Sequence, residues 1–445
     1  MTRRLSGLGS TAVVVVMAVA MFAAGAFLSR SGPGQPASIP SAPAPDVSAS
    51  TTIAAADLDS AVSALQSRLE RVPADHTAWA ALGTTYVQQA AVTGDPSYYP
   101  KAQAALRRSL SIEPQDNAGA LTGLASLSAA RHDFAQAVAQ AKRAQRINRF
   151  SADNLGILSD ALIQLGRYDR AFAVLQRMVD LQPGVPSLTR VSYAWELRGQ
   201  LRPARIALER ALDMASRPSD IAFCRFYLGE LAWNAGRVSA ADEHYAAGLQ
   251  QDPSYLPLLS GRAKVAAARG DVALAIARYD ELVHRMPTPS HLIAYADLLR
   301  SVGRAKQADQ QDAVVGATQT LLEAEGVNVD PEIAVFDADR GRARAALTAA
   351  RGVWRQQRSI EAADAYSWAL HANGRHHTAL AFALRAARLG TKSALLSYHR
   401  GMIERALGRD AAARRSLRDA LQLNPDFSPL HAPRAEAALR RLTDG

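Results

Sequence analysis

The chain has 445 residues, 48% of them hydrophobic types, so it can bury a large core and is not disordered as a whole. It carries 46 Arg against 5 Lys and a net charge of +10, and its single cysteine, Cys224, excludes internal disulfides and a cysteine-ligated zinc. The charge is uneven: Arg340 to Gly445 hold 19 basic and 8 acidic residues, a net of +11, while the preceding 339 residues hold 32 and 33, a net of −1. Such a basic quarter can face anionic lipid, wall polymer or nucleic acid, or it can be a solvated arginine-rich face.

At the front, Arg3 and Arg4 precede an uncharged apolar run from Ala12 to Leu28. As a helix that run reaches roughly 25 Å, near the hydrocarbon thickness of a bilayer. Positive charges on the leading side predict that the body lies outside the cytoplasm. Residues 1–30 therefore read as a cleaved signal peptide, with Ala24-Gly25-Ala26 as a small-residue cleavage site, or as a retained single-pass anchor. Phe27 and Leu28 carry the apolar run past that site and favour the anchor. No lipobox cysteine is present. Residues 31–53 hold Pro33, Pro36, Pro40, Pro43 and Pro45 among Ser, Ala and Gly and predict an extended tether.

The remainder repeats. Ala102, Ala137, Ala171, Ala204, Ala241, Ala275, Ala308, Ala345, Ala379 and Ala413 recur every 33 to 37 residues. Gly166, Gly199, Gly236, Gly270, Gly303, Gly374 and Gly408 each lie five residues ahead of their alanine, and Pro114, Pro183, Pro253, Pro287 and Pro425 lie twelve behind. Three columns in one register predict a helix hairpin. The glycine ends the first helix in a left-handed conformation, the alanine lets the second helix approach, and the proline stops it. Apolar residues recur at three and four between these marks, as in Leu155, Leu158 and Leu162, then Leu175 and Met178. One hairpin cannot bury both faces, so neighbours must stack into a solenoid.

Trp79, Leu82, Gly83 and Tyr86, followed by Ala102, Leu106 and Pro114, resemble the tetratricopeptide repeat at its most diagnostic positions. The resemblance spans about Ala54 to Pro425 and implies an all-α, right-handed α–α superhelix of about ten hairpins and slightly more than one turn. The solenoid is placed at residues 54–427. It opens with a half-unit at 54–73, a lone helix from Asp57 to Val72. A capping helix and tail at 428–445 close it. Three units depart from the pattern. The first has a seven-residue insertion around Thr93-Gly94-Asp95-Pro96, the second has His132 at the glycine position, and the eighth, at 329–359, is degenerate with Arg340 there. The strings Val327-Asn328-Val329-Asp330-Pro331-Glu332, Phe336-Asp337-Ala338-Asp339, Leu389-Gly390-Thr391 and Tyr398-His399-Arg400-Gly401-Met402-Ile403 resemble those of exported tetratricopeptide proteins of GC-rich actinobacteria.

No phosphate-binding loop, G-x-S-x-G elbow or H-E-x-x-H motif occurs, and no enzyme is expected. Asp337-Ala338-Asp339 is a carboxylate pair without calcium-loop spacing and reads as an acidic start or turn of the eighth hairpin. His371, His376, His377, His399 and His431 are the residues from which a metal site would have to come. Adjacent turn histidines point apart and surrounding arginines disfavour a cation, so His399 is assigned an interhelical hydrogen bond. Cys224 reads as a buried, inert thiol.

The resemblance implies that first helices line a concave groove. On this chain that assigns Tyr193, Glu196, Phe223, Phe226, Glu230, Trp233, Lys264, Asp297 and Arg300 to the groove. Aromatic anchors beside charges would hold a peptide. Arg225 occupies a normally apolar position, where a slip in register would bury one of the phenylalanines instead. The lysine and asparagine set that clamps a peptide carboxylate in chaperone-binding relatives is absent. Neither Thr122 with Ser126 nor Ser260 with Lys264 reproduces it.

The expected function is a non-catalytic extracytoplasmic scaffold binding a protein or peptide, tethered to the membrane if the front segment is retained and secreted if it is cut. The alternatives are binding of envelope polymer or anionic lipid through the basic quarter, and metal binding through the C-terminal histidines. No cofactor is expected. Nucleic acid is not expected either, since no aromatic-basic platform is evident. The sequence leaves the oligomeric state open.

Overall fold

The computed structural model describes residues 55–443. The apolar run Ala12 to Leu28 and the proline-rich stretch 31–53 lie outside them. Among the described residues there are 22 helices and no strand. They run α1 Ala55–Arg71, α2 His76–Thr93, α3 Tyr98–Ile112, α4 Ala118–Ala130, α5 Phe134–Ile147, α6 Ala152–Gln164, α7 Tyr168–Leu181, α8 Val185–Leu197, α9 Leu201–Met214, α10 Pro218–Asn234 and α11 Val238–Gln251. Then follow α12 Pro257–Ala268, α13 Val272–Arg285, α14 Pro289–Ser301, α15 Ala305–Ala324, α16 Pro331–Asp339, α17 Ala343–Gln356, α18 Ile360–Ala372, α19 His376–Ala386, α20 Ala394–Ala406, α21 Asp410–Leu423 and α22 His431–Thr443. The packing divides them into two compact units. One, the N-terminal unit, comprises 55–163 and 167–190; the other, the C-terminal unit, comprises 164–166 and 191–443.

Many helix starts and stops are locally encoded. Asp75, Asn117, Asp133, Asp271, Thr288, Ser359 and Ser393 accept the backbone N–H three residues on and so cap their helices. Pro218, Pro257, Pro289 and Pro331 stand in a first turn, where no N–H is needed. Every glycine of the repeat column has positive φ, between 66° and 82°. The column alanines from Ala102 to Ala308, with Ala379 and Ala413, are fully buried. The result is the expected all-α array of helix hairpins, opened by α1 and closed by α22. In most hairpins the two helices pack on each other, and several first helices also touch the next first helix, as α2 does α4 and α16 does α18.

The three departures resolve differently. In the first hairpin the inserted residues lengthen α2 to 18 residues, and Gly94 (φ 72°) makes the turn. In the second, His132 itself takes the left-handed conformation at φ 57°, the one non-glycine among the described residues to do so, and its ring stacks on Phe134. The eighth hairpin is unusual in its first helix, the nine residues of α16, yet keeps the turn and the buried alanine. Gly341 (φ 73°) makes the turn and Ala346 is the buried alanine, while Arg340 and Ala345 stand one residue early. The cause lies upstream: α15 has 20 residues where the other second helices have 11 to 15, and only Ala308 and Val315 of it are buried. The longer helix shifts the whole next hairpin by one.

The C-terminal unit returns upon itself. The Thr391 hydroxyl donates to the Leu197 carbonyl, and Asn424 Nδ2 donates to the Trp233 carbonyl at 2.8 Å. The loops after α19 and α21 therefore sit on the ends of α8 and α10. At Gly199 (φ 69°) a side chain would also collide with the Gly390 carbonyl, so glycine there allows both the turn and this approach.

Candidate functional site: an acidic cavity inside the C-terminal unit

That return encloses a cavity of about 110 Å³ in the C-terminal unit. Its walls come from the inner faces of α8, α14, α16 and α18, the end of α10 and the loop before α20. The apolar lining includes Ile293, Val335, Phe336 and Ile360. Six carboxylates also line it: Glu196, Asp297, Glu332, Asp339, Glu361 and Asp364. Arg340 and the exposed Lys392 are the basic residues of the lining.

Some of these carboxylates are matched. Asp297 lies 2.8 Å from Arg340 Nη2, and Arg340 also grips Asp312 at 2.7 and 3.0 Å with the Phe336 ring beneath its guanidinium. Burial raises the Asp297 carboxyl against the pull of Arg340. Asp339 accepts from Trp368 Nε1 at 2.8 Å and from His431 Nε2 at 3.0 Å. Burial opposes its ionisation, but His431, His399 and the Trp368 bond together outweigh that and hold the Asp339 carboxyl below its ordinary range. Asp364 Oδ2 accepts from His399 Nδ1 at 2.8 Å, the interhelical bond expected of that histidine.

The others have neither an arginine nor a histidine partner. Glu196 accepts from Asn234 Nδ2 at 3.3 Å, and Glu361 accepts from the Tyr193 hydroxyl at 3.4 Å. Burial pushes Glu196 up to about 7, with the Asn234 bond opposing and the charges of Glu230 and Glu361 adding to the rise. Burial likewise raises Glu361, and Asp364 adds to it. Glu332 stands well above the carboxylate range through burial and the charges of Asp330 and Asp297.

Of the nine residues assigned to a groove, Tyr193, Glu196, Trp233 and Asp297 line this cavity. Phe223, Phe226, Glu230 and Lys264 do not; they are buried in the body of the array. Phe223 and Phe226 pack edge-on against Tyr227 and Tyr255, so the arginine at position 225 leaves both phenylalanines in the core rather than one. Lys264 Nζ lies 2.5 and 2.7 Å from the Glu230 carboxylate, whose Oε1 also accepts from the Tyr245 hydroxyl at 2.7 Å. Arg300 turns to Asp309 and Asp312 at 2.9 and 2.7 Å.

Sequence reasoning missed Glu332, Arg340, Glu361, Asp364 and Lys392 as cavity residues. Asp339 was noticed, as half of a carboxylate pair; its neighbour Asp337 instead pairs with Arg342. A second assembly also escaped notice. Trp354, Tyr366 and Phe382 cluster half-buried on the C-terminal unit, with Arg358 and Arg385 over the Trp354 ring at 4.4 and 5.5 Å. The sequence shows no such platform because its parts come from three helices and two hairpins.

The C-terminal histidines are dispersed among different partners. His371 and His376 meet through Nδ1 at 3.1 Å, and His371 and His399 both stack on Trp368. Burial, with the neighbouring His376 and His399, lowers His371 to about 4. Among the described residues no group of three His, Cys, Asp or Glu is placed to hold a metal ion. Cys224 is buried, which pushes its thiol up to about 12. Among the described residues no helix is long and apolar enough to cross a membrane.

The architecture is that of a helix-hairpin repeat solenoid. Residues 152–184 and 395–427 match the tetratricopeptide-repeat family model, and each window coincides with one hairpin, α6–α7 and α20–α21. The chain thus carries tetratricopeptide repeats at its third and its last hairpin. Among solved structures it is similar to a chain of the APC/C hetero-tetramer Cut9–Hcn1, at 12% identity over 87% of this chain and 93% of that one, with a TM-score of 0.40. It is similar to a thermophilic TPR protein of Thermus thermophilus at 26% identity over 39% and 91%, TM-score 0.35. A tetratricopeptide repeat protein from Parabacteroides merdae aligns at 17% identity over 59% and 99%, TM-score 0.34. No curated protein matches.

Proposed function

We propose that this chain is a non-catalytic scaffold that binds a protein or peptide partner with the inner face of its hairpin array, its body lying outside the cytoplasmic membrane. The observation that carries the reading is the array itself: the described helices are hairpins and their two caps, and the family matches fall on whole hairpins. Repeats of this kind present stacked first helices as a binding wall. The location rests on Arg3 and Arg4 ahead of Ala12 to Leu28, with residues 31–53 as the tether.

Two measurements test it. A photo-crosslinking residue at Tyr193 or Lys392 should capture one protein partner in living cells, and the same residue at the exposed Arg351 should not; the reverse pattern overturns the inner-face assignment. For location, Thr320→Cys places a thiol on an exposed part of α15, while Cys224 stays buried and silent. A membrane-impermeant maleimide should label it in intact cells. Labelling only after lysis removes the extracytoplasmic reading.

A second reading has its own support. Arg344, Arg351 and Arg355 on α17, Arg385 on α19, Arg415 and Arg418 on α21 and Arg440 and Arg441 on α22 are all exposed, and the Trp354 cluster lies among them. Such a surface suits an anionic envelope polymer or lipid. It predicts retention on anionic vesicles that falls steeply between low and physiological salt; salt-independent retention rejects it.

A further inference from the structure

Inside this same unit the charge has the opposite sign. We propose that the cavity of the C-terminal unit binds a guanidinium or alkylammonium group carried on an apolar stem. The inference deepens the scaffold reading by naming what a partner would offer, and it rests on that reading only where the cation belongs to a peptide.

Several of the lining groups already have partners. Arg340 serves Asp297 and Asp312, His431 serves Asp339, and His399 serves one oxygen of Asp364. Three carboxylates from three helices are left with neutral partners or none: Glu196 on α8, Glu332 on α16 and Glu361 on α18. Each feels a neighbouring carboxylate: the charge of Glu361 acts on Glu196, that of Asp364 on Glu361 and that of Asp297 on Glu332. A like-charged set turned inward is costly unless a cation or protons neutralise it.

Unused hydrogen-bonding capacity points the same way. Asp364 is only 4% exposed, and its Oδ1 has no partner; Glu332 Oε1 and Glu361 Oε2 are buried without one too. Burial favours the protonated form of the three glutamates, so a cation that binds displaces protons from them and meets the ionised oxygens as acceptors. A guanidinium offers five N–H groups and an ammonium three, in charge-assisted bonds to carboxylate. An anion would meet the unmatched carboxylates and is excluded by them.

Size and lining fix the rest. A cavity of about 110 Å³ is on the scale of the roughly 150 Å³ that holds a benzene ring. It therefore admits a cationic head with part of its stem, not a length of folded chain. Ile293, Val335, Phe336 and Ile360 supply an apolar wall for methylenes.

The test uses the full chain and calorimetry with defined probes. N-acetyl-arginine amide represents a peptide side chain, agmatine represents a free cation, and N-acetyl-citrulline amide is the neutral isostere. One equivalent of either cation should bind, and the citrulline compound at least tenfold more weakly. Glu361→Gln with Asp364→Asn should weaken the cation at least tenfold, with unchanged helix content by circular dichroism. Glu332→Gln alone, which keeps the size of the side chain, should weaken it in the same direction. Binding of arginine amide over agmatine assigns the cavity to a peptide side chain, and the reverse assigns it to a free cation; both support the proposal. Equal binding of arginine and citrulline amides, no binding of either cation, or folded variants that bind as the parent does, each overturn it. If agmatine binds while crosslinking finds no protein partner, the scaffold reading falls and the cavity assignment stands.

Discussion

Removing the Lys264 ammonium while leaving the Glu230 carboxylate isolates the role of two residues that the sequence placed in the binding groove. Both side chains are 1% exposed or less, and they meet at 2.5 and 2.7 Å. Burial depresses the Lys264 ammonium, and the charge and hydrogen bonds of Glu230 hold it up. Lys264→Met keeps the bulk but leaves a carboxylate bonded only to the Tyr245 hydroxyl, beside Trp233, in a place water does not reach. Breaking one side of a buried pair costs about 3–5 kcal/mol. Pairing it with Glu230→Gln removes the stranded charge and keeps an acceptor for Tyr245, leaving about 1–3 kcal/mol for an unpaired amide. The double variant should therefore be more stable than the Lys264→Met single, with a coupling of at least about 2 kcal/mol. Urea denaturation followed by tryptophan fluorescence measures this close to the site, since Trp233 lies 5.5 Å from Lys264 Nζ. If Lys264→Met shifts stability by less than about 0.5 kcal/mol while partner binding is lost, the pair is a ligand contact and the reasoning fails.

Other substitutions separate backbone from charge effects. Gly374 has φ 72° and Gly352 lies inside α17, and an added Cβ at either meets nothing within 4 Å. Gly374→Ala should cost about 1–2 kcal/mol and Gly352→Ala should add roughly 0.5–1 kcal/mol; thermal unfolding shows the sign, and two shifts of the same sign reject the account. Glu196, raised from 4.5 to about 7 by burial, keeps when folded a proton that the unfolded chain releases. Its contribution is full below about pH 4.5 and lost as pH rises to about 7, up to about 3 kcal/mol in all. Parent minus Glu196→Gln stability should fall across that window, and a flat difference refutes the burial argument. Asn424→Ala removes the bond to the Trp233 carbonyl and should speed hydrogen exchange at the end of α10, by about tenfold for roughly 1–1.5 kcal/mol of local stability. Unchanged exchange there means that the loop does not hold the unit closed.

Most of the fold was legible because a repeat writes the same local instruction many times. A glycine to turn, an alanine to approach and a proline to stop are each read within a few residues, and ten copies average out the exceptions. The misreading of the eighth hairpin shows the limit. Counting back five from the wrong alanine found Arg340, while the turn residue Gly341 stood one place on. The extra length of α15 shifted the frame, and Ala345 beside Ala346 concealed it. The cavity was half legible. Tyr193, Glu196, Trp233 and Asp297 face inward because their helix positions do, which a column reading captures. Phe223 and Phe226 follow the same columns yet go to the core, because Tyr227, Tyr245 and Tyr255 surround them there. What no column contains is the closure. Thr391 meets Leu197 and Asn424 meets Trp233 across 194 and 191 residues, and only that return turns an open wall into a cavity.

The C-terminal quarter then poses an electrostatic question that its net charge of +11 answers wrongly if taken alone. Arginines of α17, α19, α21 and α22 lie outside, and unmatched carboxylates lie inside the same unit. Exposed charges are screened over a Debye length of about 8 Å at physiological salt, while buried pairs are screened much less. A polyanion on the outer face must therefore release as salt rises. A cation in the cavity must hold its affinity, and the arginines that repel it during approach are screened by the same salt, so its association should quicken. Raising NaCl from about 20 to about 200 mM should lower vesicle binding by an order of magnitude or more, while agmatine affinity changes less than threefold. Parallel salt slopes for the two ligands would mean that both meet the same solvated surface, and the enclosed acidic site would have to be abandoned.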